Sequence, residues 1–108
     1  MRFEKQLKKR LLLCKLDIEH HQTRINQILL EIPAYIVHTL KETTAEMHTI
    51  ISNGGNENDK MYQILHLICM QLYIIYPNLL IYEALQRELK YIQRDYAVML
   101  RCKNYWQF

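Results

Sequence analysis

The chain has little with which to turn: Gly and Pro number two each in 108 residues. A β-sandwich or barrel needs a turn about every 8–12 residues, and a parallel α/β sheet needs Gly-rich crossings, so both classes are excluded. Cysteine is sparse too. Cys14, Cys69 and Cys102 are odd in number, far apart and never in a CxxC pair. That spacing supplies no disulfide framework, and reduced thiols packed among apolar neighbours are expected, as in an intracellular protein of the cytoplasm or nucleus. Charge of either sign is missing from Met61 to Tyr82.

Motifs that carry chemistry are missing as well. There is no Gly-rich phosphate loop, no nucleophile elbow and no HExxH. Adjacent His20 and His21 point about 100° apart on a helix and cannot share one ion. Asp17 with His20, and His66 with Cys69, have helical spacing, but zinc needs further ligands, and a di-metal bundle needs Glu-x-x-His pairs, which do not occur here. Ordinary packed or surface histidines are the simpler account. The expectation is therefore a non-enzymatic protein without cofactor or metal.

What the chain does contain is apolar side chains, half of its residues, at helical spacing. Leu7, Leu11, Cys14, Ile18, His21, Ile25, Ile28 and Ile32 alternate by four and three, a heptad seam on one helix face. Past Pro33, the apolar positions Ile36, Val37, Leu40, Met47, Ile50 and Ile51 fall one step out of that register. The buried face should therefore turn by about 100°. Thr43-x-x-Glu46 fits a capping box and suggests a local helix restart before Met47. A second stripe runs from Met61 through Leu65, Ile68, Leu72, Ile75, Leu79, Tyr82, Leu85, Leu89, Ile92 and Tyr96 to Met99.

One segment reads as a reversal, residues 52–59, where Gly54 or Gly55 can close a helix in the left-handed region and Asn58 or Asp59 can cap the next. The sequence thus predicts a single all-α domain: a first arm over about 3–51, a turn over 52–59 and a second arm over about 60–105. Pro33 and Pro77 lie about 22 residues either side of the glycines, so in an antiparallel hairpin their kinks sit side by side. Two architectures satisfy this pattern. One is a long helical hairpin kinked at Pro33 and Pro77; the other is a four-helix bundle that folds back at the prolines.

Either arm carries more apolar surface than one seam can hide. Ile64, Leu67, Tyr73, Ile74 and Leu80 point away from the second stripe, and Leu12, Leu13, Leu16 and Leu30 away from the first. Exposed apolar patches of more than a few hundred Å² mark partner or membrane contacts. Lipid is the poorer cover, because Gln63, His66, Gln71, Pro77 and Asn78 are spread through the uncharged run and tyrosines fall in its middle. The expected role is a helical protein–protein interaction subunit or adaptor of a larger complex. Leu12, Leu13, Leu16, Ile64, Leu67, Tyr73, Ile74 and Leu80 would form its partner surface. A parallel homodimer of the first arm is disfavoured, because Arg10 would face Lys15 and His21 would enter the seam. An antiparallel homodimer or a hetero-oligomer avoids the like-charge pair, and a hetero-oligomer is slightly preferred over a homodimer.

The net charge of +3 is modest but uneven. Lys5, Lys8, Lys9, Arg10 and Lys15 can meet phosphates or an acidic partner, and Tyr105 and Trp106 beside Arg101 and Lys103 can stack on unpaired bases. A small basic nucleic-acid-binding protein is therefore the alternative reading. The simpler account is a solvated basic face and a chain end anchored by Trp106 and Phe108 near Phe3.

Overall fold

A computed structural model describes residues 2–106 of the chain, with side-chain surroundings through residue 104. It is all-α. Four helices follow one another: α1 (Arg2–Leu29), α2 (Ala34–Ser52), α3 (Lys60–Ile75) and α4 (Asn78–Trp106). The expected meeting of Phe3 with Trp106 and Phe108 lies outside the described residues.

Both prolines end helices rather than merely kinking them. A proline ring collides with the carbonyl four residues back, and α1 stops at Leu29, four before Pro33. Tight turns then carry the chain round, with the Glu31 N–H donating to the Ile28 carbonyl at 3.0 Å and the Ile32 N–H to Leu29 at 3.4 Å. Pro33 opens α2 with φ −56° and ψ 136°. At the second break, Tyr76 is pushed out of helical geometry to φ −124° and ψ 78°, as the residue before a proline must be. The two corners lie together, because Asn78 Nδ2 donates to Glu31 Oε2 at 2.6 Å.

The reversal between α2 and α3 follows from glycine. Asn53 ends α2, Gly54 takes φ +88°, the Gly54 N–H reaches the Ile51 carbonyl at 3.2 Å, and the Gly55 N–H reaches Ile50 at 2.9 Å. These two bonds satisfy carbonyls that a helix end leaves orphaned. Gly55 is needed for space instead, since a Cβ there would come within 2.7 Å of Ile50 Cγ2. Asp59 precedes α3 without a side-chain capping bond, and Asn56 Oδ1 accepts from the Asn58 N–H at 2.8 Å.

Two compact units result, Met1–Gln27 with Glu83–Phe108, and Ile28–Tyr82. In the second, α2 and α3 pack closely as an antiparallel hairpin. Its core is Ile32, Ile36, Val37, Leu40, Leu65, Cys69, Leu79 and Tyr82. Leu79, just past the proline corner, is 0% exposed. In the other unit the antiparallel partners are α1 and α4: His21 meets Glu88 and Cys14 meets Ile92. Leu7, Leu11, Ile25 and Leu85 are buried there.

Three expectations need correction. The heptad seam of α1 holds throughout, but in α3 Met61, Ile68 and Ile75 are exposed, while Tyr62, Cys69 and Tyr76 turn inward. The buried face of α3 is therefore about one residue further round. Cys69 meets α2 there, its Sγ 3.9 Å from Met47 Sδ. Ile51 is likewise exposed. Thr43 caps nothing: α2 is unbroken, and the buried Thr43 Oγ1 donates back to the Thr39 carbonyl at 2.7 Å. Of the thiols, Cys69 is buried and Cys14 half-buried, but Cys102 is exposed rather than packed.

Candidate interaction surface

The rotation of α3 decides what it shows to solvent. With its tyrosines, Leu65, Cys69 and Leu72 turned to α2, the other half of the helix carries Met61, Ile64, Leu67, Ile68, Gln71, Ile74 and Ile75, all exposed. At 100° per residue these positions fill an arc of about 140°. None of these is charged, and Gln71 is the single polar one, in mid-face. The first residue of α3, the exposed Lys60, falls within the same arc at the end of the helix. Ile74 is 66% exposed and Ile75 63%. Leu80 and Ile81, at the start of α4 in the same unit, are exposed too. The hydroxyl of Tyr76, turned the other way, is pushed above its usual pKa by burial first, then by Tyr35.

Of the residues singled out from the sequence, Ile64, Leu67, Ile74 and Leu80 are exposed in this unit and Tyr73 is half-buried. Leu12, Leu13 and Leu16 are exposed on α1 in the other unit. The sequence reading missed Met61, Ile68 and Ile75 because it assigned them to the seam. It also passed over Tyr91 and Val98, which α4 exposes.

Lys5, Lys8, Lys9, Arg10 and Lys15 are all exposed on α1. Their positive field is interrupted. Lys8 Nζ holds Glu4 Oε1 at 3.0 Å, which lowers the Glu4 pKa. Arg10 borders a groove between α1 and α4 that Asp17 and Asp95 also line. Leu12 and Leu16 stand among the lysines, one helical turn apart.

Two titratable groups of this unit, His21 and Cys14, are held in structural contacts. His21 Nε2 lies 2.9 Å from Glu88 Oε2 and its Nδ1 3.0 Å from the Asp17 carbonyl. The bond to Glu88, then that to Asp17, raises the His21 pKa. Cys14 Sγ donates to the Ile92 carbonyl at 3.4 Å, and burial above all, with Asp95 and Asp17, pushes its thiol pKa up and away from the reactive thiolate. Among the described residues, no three His, Cys, Asp or Glu side chains are grouped to hold a metal ion. No single helix among them is long and apolar enough to cross a membrane. The α3–α4 pair has the length and composition only as a span bent at its break.

No protein-family model, curated protein or solved structure matches the chain.

Proposed function

We propose that this chain is a non-enzymatic interaction subunit that holds another protein against the outward face of α3. The observation that carries the reading is the uncharged apolar arc from Met61 to Ile75, exposed along the whole helix. Scattered single apolar residues are ordinary on a protein surface, but a continuous helical face of them is not. Binding would bury that face against a partner's apolar side chains, at about 25 cal/mol for each Å² removed from water. Lipid suits the face less well. Helices that lie on membranes carry Lys and Arg on the side opposite their apolar face, whereas the opposite side of α3 packs on α2 through Leu65, Cys69 and Leu72 and carries no Lys or Arg.

The test is capture of partner by the tagged full chain, wild type beside Ile74→Asp. Ile74 is exposed, so the substitution leaves the fold intact and should abolish capture. Unchanged capture by the folded variant would refute the assignment. Loss on Lys5→Glu with Lys9→Glu instead would move the function to the basic face of α1.

A further inference from the structure

We infer that the occupant of the α3 face is α3 of a second copy of this chain. This rests on the reading of that face as an interaction surface, and it adds the partner. Three observations carry it.

The first is extent. Met61, Ile64, Leu67, Ile68, Ile74 and Ile75, each 40–66% exposed, run the length of α3. They form a continuous apolar strip, as a helical-dimer seam requires, rather than scattered single side chains.

The second is charge. A face rejects its own copy when like charges meet across the axis. That objection applies to α1, where Arg10 and Lys15 would oppose each other. It does not apply to α3, which has no Asp, Glu, Lys or Arg between Met61 and its end at Ile75. A two-fold interface needs a patch that complements itself, and an uncharged apolar arc does so.

The third is Gln71. Met61, Ile64, Ile68, Gln71 and Ile75 are spaced 3-4-3-4, the pattern of a helical-dimer seam with one polar position. When two α3 helices run parallel about a two-fold axis, each Gln71 amide meets the other. Each can then donate to and accept from its counterpart, so neither amide is buried unpaired. An antiparallel pair centred on Ile68 would set Gln71 opposite Ile64 and lose that partner, and one centred on Gln71 would leave Met61 and Ile64 beyond the partner's α3 end at Ile75. Gln71 and the length of α3 together therefore favour the parallel direction and its register.

The experiment is sedimentation velocity of the purified full chain over a wide concentration range, with an apolar fluorescent dye as a second readout. Wild type should double its mass as concentration rises. Ile68→Asp should remain monomeric, with helical content unchanged by circular dichroism. Ile64→Asp, at a more exposed position, serves the same purpose should Ile68→Asp unfold. Dimerisation that persists in a folded variant would overturn the inference. A wild-type monomer at every concentration would also overturn it, and the dye then separates the two claims. Dye binding that the substitution abolishes leaves the α3 face as a surface for a different chain; dye binding that it leaves unchanged refutes the interaction surface as well.

Discussion

Leu79 and Ile75 lie on the same heptad stripe in the sequence, yet the structure gives them opposite fates, and truncating each to alanine tells the two descriptions apart. Leu79 is 0% exposed and Ile75 is 63% exposed. Removing a fully buried leucine side chain loses its transfer free energy and leaves a cavity, together about 2–5 kcal/mol. Ile75 keeps little more than a third of its surface covered, and nothing packs over the rest. Its truncation should cost about 1 kcal/mol or less, near the range of surface substitutions. The expected gap is therefore at least about 1 kcal/mol. For a domain of this size, one kcal/mol moves the melting temperature by about 4–8 °C, so Leu79→Ala should melt at least about 4 °C below Ile75→Ala. Thermal melts followed by circular dichroism in dilute solution, where association through α3 does not contribute, measure this directly. Equal destabilisation by the two substitutions would restore the seam read from the sequence and remove the exposed face on which the proposed function depends.

Other substitutions test other parts of the molecule. Gly54→Ala forces a Cβ onto a residue at φ +88° with open space around it, so backbone strain alone should cost about 1–2 kcal/mol in a urea melt. Gly54→Asn should cost less, because Asn tolerates that region; equal losses would show that strain is not the cause. The pKa of His21 is raised in the folded chain, so its pairing with Glu88 stabilises fully below about pH 6.5, the unfolded value. That contribution fades as pH rises through the folded value. The stability lost on Glu88→Gln should thus be larger at pH 5.5 than at pH 8.5, within the roughly 0.2–1 kcal/mol of exposed pairs; a loss independent of pH would contradict this.

How much of this was legible in the sequence depended on contrast between neighbouring residues. In α1, Leu7 stands between Gln6 and Lys8 and Ile25 between Arg24 and Asn26, so periodicity could choose the face, and Leu7, Leu11 and Ile25 are buried as the heptads require. The glycine turn was equally plain, because few residues other than Gly54 take a left-handed conformation without strain. In α3 that contrast is missing. Met61 and Tyr62, Ile68 and Cys69, Ile75 and Tyr76 are adjacent pairs of comparable apolarity, and periodicity cannot choose between them. The choice is made by α2, whose surface receives Cys69 against Met47. Thr43 misled for a related reason. A threonine hydroxyl can cap a helix or bond back to the preceding turn, and only the unbroken course of α2 decides which. The excess of apolar surface was legible from Ile64, Leu67 and Ile74; its continuity along α3 was not.

The chain carries its own reporters for the claim that this face is open in the single chain and covered in the assembly. Met61 and Met70 are exposed on α3, whereas Met47 is half-buried against Cys69. Mild peroxide oxidation, mapped by mass spectrometry, should modify Met61 and Met70 well before Met47 in dilute solution. Met61, on the face itself, should become protected when the chain is assembled. Protection of Met61 in the dilute chain, or undiminished oxidation of Met61 in the assembly, would contradict the account.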